Sequence, residues 1–460
     1  MSAFILIALG LSLGYALFER AGVTADWNWT LCVVGCVSAL FYGNRLRRRR
    51  RALTLSTPTL VLLGGLLALA ALSVVPLPTP LIATLSPSRY QLLQDASPIL
   101  GVLPSYATLS LVPLASLQYL LTLGAVILTF VLLHDVSIQL REASWGWSPV
   151  WPLLALAAAQ AALGIYQAYA EGGDGYAHGT FANRDHFAGF LELVLPIALF
   201  YAFAILGRER QRYESPAAPA ISACLLFGIA GLLLVAIVHS LSRMAFLATI
   251  TALSFAALVA LYLRTSGHEP LVKVTPWRRW LPAGLIALVA ALGFVFLPTD
   301  SLIARFADLA MTEDISADTR AQIWSDSVGI VKAFPLVGVG LGGYESALYR
   351  FKTVAPMHTV DYAHNDYLQV LVEMGVVGFA LGLVLLLMVL WSAFRGAFYA
   401  RDNDHRLLQI GVLGGLTAIA LHSFVDFNMY VPANAFVVAW ISGIASAHLT
   451  RPPKRQLEPA

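Results

Sequence analysis

Residues 369–394, QVLVEMGVVGFALGLVLLLMVLWSAF, contain a single charged residue, Glu373, in a run that is otherwise almost entirely apolar. An α-helix needs about 20 such residues to cross the hydrocarbon core of a bilayer. A helix also satisfies its own backbone hydrogen bonds, which lipid cannot do. The stretch therefore predicts a membrane-spanning helix.

Eleven further stretches of similar character occur along the 460 residues. Hydrophobic residues make up 58% of the chain and charged residues 12%, against about 45–50% and about 25% in soluble domains. We therefore predict an all-α integral membrane protein with about 12 transmembrane helices. The predicted spans are 2–19, 28–43, 53–75, 114–133, 151–169, 187–206, 221–239, 244–263, 280–297, 369–394, 407–424 and 434–449.

Basic residues are distributed unevenly between the two sides of these helices. When the connections are numbered alternately from the inside, 20 of the 29 lysines and arginines lie on one side, which the positive-inside rule assigns to the cytoplasm. Twelve crossings then place both termini in the cytoplasm. The formal net charge of +3 reflects these loops and does not indicate a nucleic-acid partner. Nine basic residues face outward: Arg20, Arg89, Arg184, Arg243, Arg305, Arg320, Lys332, Arg350 and Lys352.

The predicted helices divide the chain into four parts, of which the third is a large helical segment outside the membrane, between helices 9 and 10. The parts are helices 1–4 in residues 1–150, helices 5–9 with part of the site in residues 151–297, the outward segment in residues 298–368, and helices 10–12 with a short cytoplasmic tail in residues 369–460.

The outward segments contain local patterns of their own. Residues 320–334 place apolar side chains at 3.6-residue spacing and predict an amphipathic helix, which Pro335 ends. Residues 338–343, GVGLGG, predict a flexible turn, and residues 344–352 predict a short second helix. Residues 76–113 predict a long, proline-punctuated loop.

Ionisable residues near the ends of the predicted helices gather on the outward side. Such residues are costly in a membrane and mark functional sites by default. A channel or proton-coupled transporter is expected to carry them near mid-membrane instead. Their position favours chemistry or binding at the outer face. They are Glu192, His239, Arg243, Glu373, His422 and Asp426.

The first motif is residues 239–246, HSLSRMAF, a tight turn between two predicted helices. Arg243 stands at a helix start, where the helix dipole disfavours a cation. A guanidinium grips phosphate through two parallel hydrogen bonds, so this position suggests a phosphate clamp. The alternative is that Arg243 reaches to a lipid phosphate at the membrane surface.

The second motif is residues 318–324, DTRAQIW. Arg320 begins the predicted amphipathic helix, again against the helix dipole, and offers a second phosphate-binding guanidinium. The alternative is a surface ion pair with Asp318 or Asp314.

The third motif is residues 361–369, DYAHNDYLQ, directly before the predicted span. The helix dipole and the nearby arginines disfavour a charged imidazole at His364, so the ring stays neutral, as a general base must be. Asp361 or Asp366 could orient this ring. The alternative is a helix N-cap made by His364, Asn365 or Asp366.

A fourth candidate is residues 179–189, GTFANRDHFAG, in which Asn183, Arg184 and His186 are candidate binding residues. The alternative is a re-entrant turn followed by a capped helix start. A zinc site that includes His178 and His186 is weakly supported, because the spacing matches no compact metal motif.

These segments together resemble those of the O-antigen ligase and polymerase superfamily of bacterial envelope glycosyltransferases. The resemblance covers about residues 160–380, and the first 150 residues agree only in hydropathy. Each piece is short, but the combination is fairly specific. The matching pieces are NRDHFAG at 183–189, Ser242-Arg243, Arg320 with Trp324, PLVGVGLG at 335–342, AHNDYLQ at 363–369 and EMGVVG at 373–378.

The resemblance implies a glycosyltransferase of the bacterial inner membrane that acts at the periplasmic face without metal or other cofactor. We predict direct displacement at the anomeric carbon, which inverts its configuration. The donor is a glycan on undecaprenyl diphosphate. The acceptor is a sugar of lipid A–core for a ligase, or the end of another lipid-linked repeat unit for a polymerase. Membrane lipids surround the enzyme, and no nucleic acid takes part.

The resemblance also assigns roles to residues. It implies that Arg243 and Arg320 hold the diphosphate and that His364 activates the acceptor hydroxyl. Arg184 stands where relatives often carry a neutral residue, which implies a third phosphate contact or an influence on the donor's sugar. The residues expected to bind substrate are Arg184, His186, Asn183, Asp361, Asn365 and Asp366.

Several other functions remain open at this point. A polymerase shares every motif with a ligase, and we take the ligase as the main prediction. A protein O-glycosylating ligase fits less well, because such relatives often carry a larger periplasmic C-terminal region. A transporter of lipid-linked sugars predicts inverted repeats and polar helices at mid-membrane, which the sequence does not contain. A non-catalytic scaffold fits least well.

Overall fold

The computed structural model describes residues 1–23, 27–48, 53–170, 175–207, 217–265, 317–353, 359–400 and 402–447. The predicted span 280–297 lies outside these residues, as does the start of the predicted outward segment before Ala317. The count of 12 transmembrane helices therefore remains a prediction.

The described residues are almost entirely helical, in agreement with the predicted all-α class. Two short strands, β1 (Leu77–Pro78) and β2 (Tyr106–Ala107), form an antiparallel pair. The helices are α1 (Ser2–Phe18), α2 (Trp27–Arg47), α3 (Thr57–Val74), α4 (Thr79–Leu85), α5 (Pro87–Leu100), α6 (Pro113–Glu142), α7 (Trp151–Tyr169), α8 (Arg184–Gly207), α9 (Ala217–His239), α10 (Arg243–Thr265), α11 (Ala317–Ala333), α12 (Tyr344–Leu348), α13 (Asp366–Tyr399), α14 (Asn403–His422) and α15 (Pro432–Ser446).

Seven helices in the described part of the chain are long and apolar enough to cross a membrane, namely α3, α6, α7, α8, α9, α10 and α13. α1 and α15 are apolar but shorter. Every predicted span within the described ranges overlaps a helix. The chain is therefore a polytopic membrane protein.

α8 lies at the centre of the bundle, where it packs against α9 and α14 and is buried along most of its length. α14 approaches α8 closely because it is rich in glycine: a Cβ at Gly415 would lie 2.3 Å from the carbonyl oxygen of Leu193. Small residues allow this kind of close packing between membrane helices. The packing places the first residues of α8 beside the last residues of α14. We call this end of the bundle, where α8, α10 and α13 begin and α9 and α14 end, the site end.

The opposite end of the bundle also contains buried ionisable groups. Arg45 on α2 lies 3.6 Å from Asp135 on α6, and the Tyr42 hydroxyl donates to Asp135 at 2.9 Å. The cluster ties α2 to α6 and is a structural feature that the sequence patterns did not reveal.

Two predictions outside the membrane helices were wrong. Residues 76–113 were predicted as one loop, but they contain β1, α4, α5 and β2, which share a small apolar core of Leu77, Ile82, Leu93 and Leu109. Prolines in the first turns of α4 and α5 mark helix starts there, since a helix N-terminus tolerates proline. The second helix, predicted to extend to Lys352, ends at Leu348.

α13 is interrupted at Gly375, which has φ 63° and ψ −172°. This backbone conformation is essentially restricted to glycine. The interruption frees backbone groups of α13, and residues 335–340 pair with them. The hydrogen bonds run from Val339 N–H to Val372 O at 3.1 Å, from Gly340 N–H to Glu373 O at 2.9 Å and from Val376 N–H to Pro335 O at 2.8 Å. The predicted turn at residues 338–343 is present, since the Gly343 N–H donates to Gly340 O at 3.0 Å, and the neighbouring pairing by residues 335–340 fixes α11 to α13.

Gly375→Ala should destabilise this junction. The new Cβ would lie 2.3 Å from the carbonyl oxygen of Leu336, and the strained backbone costs about 1–3 kcal/mol on its own. We expect a lower melting temperature of the purified protein in detergent. Gly64→Ala on α3 is the matched control, because a Cβ there meets open space. Equal melting temperatures for the two variants would contradict this role of Gly375.

Candidate functional site

Five segments meet at the site end around a cavity of about 200 Å³, which we call the polar cavity. Arg243, Arg320 and His364, each predicted from a separate motif, all line it. The complete lining is Asn183, Arg184, Asp185, Leu241, Arg243, Met244, Arg320, His364, His422, Val425 and Asp426. The structure thus brings together the two candidate phosphate-binding arginines and the candidate base.

The turn before Arg243 is held by two buried serines. The Ser240 hydroxyl accepts a hydrogen bond from the Ser242 N–H at 3.2 Å, and the Ser242 hydroxyl accepts one from the Ala245 N–H at 3.4 Å. Ser242 therefore caps the start of α10. Leu241 has a positive φ of 56°, which tightens the turn. These contacts place Arg243 at the rim of the polar cavity.

Arg320 lies in the first turns of α11, one helical turn before Trp324. The indole N–H of Trp324 donates to the carbonyl oxygen of Ala363 at 2.9 Å, so α11 is tied to the residue that precedes His364. The Nε atom of Arg320 is buried and has no hydrogen-bond partner among the described residues, which suits an anionic ligand. The side chains of the alternative ion-pair partners, Asp318 and Asp314, lie outside the described part of the chain.

His364 precedes α13 in a left-handed conformation, with φ 48°. Histidine is among the non-glycine residues that tolerate this region best. The preceding residue is held on both sides, because the Ala363 N–H donates to the Gln369 side-chain oxygen at 2.7 Å and its carbonyl accepts from Trp324. Asn365 is the N-cap of α13 and accepts from the Leu368 N–H at 3.0 Å. His364 is therefore not needed as a cap, and its side chain lines the polar cavity.

Asp426 is the carboxylate nearest to His364, and it lies in the loop after α14. Its Oδ1 atom is 3.8 Å from Nδ1 of His364 and 3.4 Å from Nε2 of His186. The first distance is longer than a hydrogen bond but within ion-pair range. His422 lies on the other side, with its Nε2 3.8 Å from Oδ2 of Asp426. Three histidines thus surround one buried carboxylate.

A second carboxylate supports this group from inside the bundle. Nδ1 of His422 lies 3.0 Å from Oε1 of Glu192, which is fully buried in α8. A row of buried side chains therefore leads to His364: Glu192 lies beside His422, His422 beside Asp426, and Asp426 beside His364.

The structure corrects the predicted partner of His364. Asp366 accepts hydrogen bonds from the Ser423 hydroxyl at 2.7 Å and from the Met429 N–H at 3.1 Å, so it joins the start of α13 to the loop after α14. Asp361 is exposed on the loop surface. Neither carboxylate lines the polar cavity, and Asp426 is instead the carboxylate within ion-pair range of the ring.

The histidines also set the charge of Asp426. Burial by itself raises the pKa of this carboxyl, but His186, His364 and His422 outweigh that effect and hold the pKa of Asp426 well below its usual value. Asp426 is thus ionised at neutral pH. An ionised carboxylate can stabilise an imidazolium that forms when His364 takes up a proton.

The fourth motif supplies the remaining wall of the polar cavity. The guanidinium of Arg184 lies 4.9 Å from the ring centroid of Tyr176, a cation–π contact that holds it at the cavity. Asn183 accepts a hydrogen bond from the Asp185 N–H at 2.8 Å and so begins α8. His186 is buried behind the cavity against Asp426. Of the predicted binding residues, Asn183 and Arg184 line the polar cavity, while His186, Asn365 and Asp366 support it.

With His364 as the predicted base, Asp426→Asn should lower the turnover number of the protein. The amide preserves the shape of the side chain but cannot stabilise a positive charge on the ring. We expect a loss of about 10–100-fold in kcat, the size of effect known for carboxylates that orient metal-binding histidines, with little change in KM. Asp404→Asn, at the opposite end of α14, is the control. An unchanged kcat would show that Asp426 has no part in positioning the base.

A second, larger cavity of about 930 Å³ lies beside the polar cavity, and we call it the apolar cavity. Its walls come from α3, α6, α13, α14 and α15, and most of the lining side chains are aliphatic. Tyr119, Tyr362 and Tyr430 supply hydroxyl groups. The ring of Phe427 stacks on Tyr362 with a centroid distance of 4.1 Å and meets the His364 ring edge at 5.0 Å. Phe427 therefore stands between the two cavities.

The sequence patterns did not place Asp426, His422 and Glu192 in the site. All three were recognised as ionisable residues near helix ends, but no motif links them to His364. In the described residues, no group of three or more histidine, cysteine, aspartate or glutamate side chains is arranged to hold a metal ion.

Residues 228–383 match the family model described as O-antigen ligase. The matched part contains Arg243, Arg320 and His364, and it ends before the loop that contains Asp426. The match confirms the resemblance that the motifs predicted. No curated protein matches the chain.

Proposed function

We propose that this protein is a metal-independent, inverting glycosyltransferase of the bacterial inner membrane. It moves a glycan from undecaprenyl diphosphate to a sugar hydroxyl at the periplasmic face. The family match and the membrane-spanning helices support the general class of membrane glycosyltransferase. The family description favours the ligase type, in which lipid A–core is the acceptor.

One observation carries the proposal, namely that Arg243, Arg320 and His364 line the same small polar cavity. Two guanidinium groups suit a diphosphate, because each can grip phosphate oxygens with paired donors. An imidazole at the same cavity suits proton transfer from a hydroxyl group. Diphosphate binding and base catalysis are the two functions that glycan transfer from a lipid diphosphate requires.

In the proposed reaction, the acceptor oxygen attacks the anomeric carbon while His364 takes its proton. The bond from that carbon to the diphosphate oxygen breaks, and the electron pair leaves with the diphosphate. Arg243 and Arg320, with Arg184 beside them, neutralise a charge that is larger in the transition state than in the bound donor. Asp426 stabilises the imidazolium. Because attack and departure occur on opposite sides of the carbon, its configuration inverts.

A repeat-unit polymerase is the second candidate, with the same chemistry and a lipid-linked acceptor. The apolar cavity favours it, since a cavity of this size suits a single hydrocarbon chain more than the several chains of lipid A. A transporter of lipid-linked sugars has less support, because it leaves the alignment of His364 with Asp426 unexplained.

The proposal can be tested with purified protein in lipid nanodiscs and a synthetic glycan on undecaprenyl diphosphate. Separate reactions contain lipid A–core, a second lipid-linked glycan, or no acceptor. We expect a new glycosidic bond with inverted configuration in at least one of the first two reactions. Transfer to neither acceptor, or retention of configuration, would overturn the proposal. The acceptor that is used separates the ligase from the polymerase.

A further inference from the structure

One histidine at the site end has a carboxylate on each side of its ring. His422 is the last residue of α14 and is buried. Its Nδ1 atom lies 3.0 Å from Oε1 of Glu192, and its Nε2 atom lies 3.8 Å from Oδ2 of Asp426. Both carboxylates are buried as well. The proposed reaction uses Asp426 but gives no task to Glu192 or His422.

The two carboxylates determine where the protons of this ring lie. A neutral imidazole has one N–H and one bare nitrogen, whereas an imidazolium donates from both nitrogens. If His422 were neutral, its bare nitrogen would face a carboxylate oxygen and would offer it no proton. A buried carboxylate that lacks a cation is also costly. The position of His422 between Glu192 and Asp426 therefore favours the imidazolium form.

Glu192 is the group that holds this charge in place. Its Oε2 atom is buried and has no hydrogen-bond partner among the described residues, so the contact of Oε1 with His422 is the one that can compensate its charge there. The alternative is that the proton lies on Glu192, which makes both groups neutral. Asp426 disfavours that alternative, because a nearby negative charge stabilises the cation on His422.

The charge on His422 affects His364 because both rings face Asp426. Nδ1 of His364 lies 3.8 Å from Oδ1 of this carboxylate, and His422 faces the other oxygen. A general base must be neutral before it can take up a proton. An ionised carboxylate on its own would favour the imidazolium form of His364. A cation on the other side of Asp426 offsets this attraction.

We propose that His422 is a positioning residue that carries a positive charge at neutral pH, held in place by Glu192. This charge offsets that of Asp426 and keeps His364 neutral until the acceptor hydroxyl gives up its proton. The effect on His364 rests on the proposed function, whereas the charge on His422 can be measured without it. No bond forms or breaks at Glu192 or His422.

Other charged or titratable groups face the two rings, and all of them are the same in every variant described below. A difference between variants therefore reports the substituted residue alone. These groups are Arg184, Asp185, Arg243 and Arg320, which line the polar cavity, and His186, which lies 3.4 Å from Asp426.

The charge on His422 can be measured by NMR without any glycan transfer. The 10 histidines are labelled with ¹⁵N, and the ring nitrogens of the protein in lipid nanodiscs are observed at neutral pH. His422→Gln identifies the signals of this ring, because they disappear in that variant. We expect both nitrogens of His422 to carry protons in the unaltered protein and only one of them in Glu192→Gln. A neutral His422 ring in the unaltered protein would overturn the inference.

The pH dependence of kcat/KM tests the effect on His364. Transfer should fall on the acid side of the profile as the base becomes protonated. Glu192→Gln lets His422 lose its proton, and Asp426 then faces His364 without the offsetting cation. We expect the acid-side midpoint to move to higher pH by about one pH unit, since a charge within about 4–6 Å changes a titration by about 1–3 units.

Two further variants fix the direction of this effect. His422→Gln removes the cation itself and should move the midpoint to higher pH as well. Asp426→Asn removes the negative charge beside His364 and should move the midpoint to lower pH. Glu192→Gln and Asp426→Asn thus each remove one buried carboxylate, yet their effects on the profile should be opposite. A purely structural role for the row would not produce opposite signs.

Two controls accompany these variants. Glu192→Asp keeps the negative charge and should return the midpoint towards that of the unaltered protein. Glu373→Gln makes the same chemical change as Glu192→Gln in another buried glutamate, on α13, which does not line the polar cavity. Its midpoint should equal that of the unaltered protein.

Other results would overturn the inference. Midpoints that do not move in Glu192→Gln and His422→Gln, or that move to lower pH, would show that no cation at His422 acts on His364. If one of these two variants fails to fold, the other still identifies the His422 signals and tests the midpoint. Failure of the unaltered protein to transfer glycan would overturn the proposed function, while the NMR signals would still decide the charge on His422.

Discussion

His364→Asn should reduce glycan transfer by about 10²–10⁴-fold, which is the usual contribution of a general base, and should leave donor binding nearly unchanged. Asparagine is a sharper test than alanine, because His364 has φ 48° and asparagine tolerates this left-handed region well. The amide also keeps a polar side chain beside Asp426. It cannot accept a proton at neutral pH, so the variant removes the base without straining the backbone.

Initial rates and donor affinity should be measured separately, since a structural defect would lower both. His178→Asn is the control, because His178 belongs to the loop before α8 but does not line the polar cavity. His364→Ala should lose transfer as well. A normal rate for either His364 variant would show that another group takes the proton.

The membrane helices followed from the sequence because hydrophobic length is a strong and local signal. The start of α13 was placed within a few residues of its observed position, as the run of apolar residues after Gln369 allows. By contrast, the interruption at Gly375 could not be recognised, because a glycine inside an apolar helix is common and its φ depends on what packs against it. Residues 335–340 supply that partner, and they are distant from Gly375 in sequence.

The candidate site was predictable only in its parts. Arg243, Arg320 and His364 each stand at a helix start, which is a feature that local sequence reveals. Asp426 could not be predicted as the partner of His364. The expected carboxylate lay within the same motif as His364, whereas the structure supplies it from another loop. The choice between Asp361, Asp366 and Asp426 depends on how α13 and α14 pack, and no local pattern encodes that packing.

Arg243→Lys and Arg320→Lys should each lower kcat by about 10²–10³-fold, the loss that follows removal of one group that stabilises transition-state charge. Lysine keeps the positive charge but lacks the planar fork that grips two phosphate oxygens. The effect should be larger on kcat than on donor KM, because the charge on the leaving diphosphate grows as the bond breaks.

Arg350→Lys is the control for these variants, since Arg350 is exposed near the site end and does not line the polar cavity. The double variant of Arg243 and Arg320 adds a further test. If both arginines bind one diphosphate, the loss of kcat in the double variant should be smaller than the product of the two single losses, because groups that act on the same charge are coupled. Two losses that multiply fully would indicate that the arginines act independently, and normal kcat values would remove the diphosphate from the polar cavity. Arg243, Arg320 and His364 can act in one reaction only if both guanidinium groups bind the same leaving diphosphate. His364 must then face that diphosphate across the anomeric carbon.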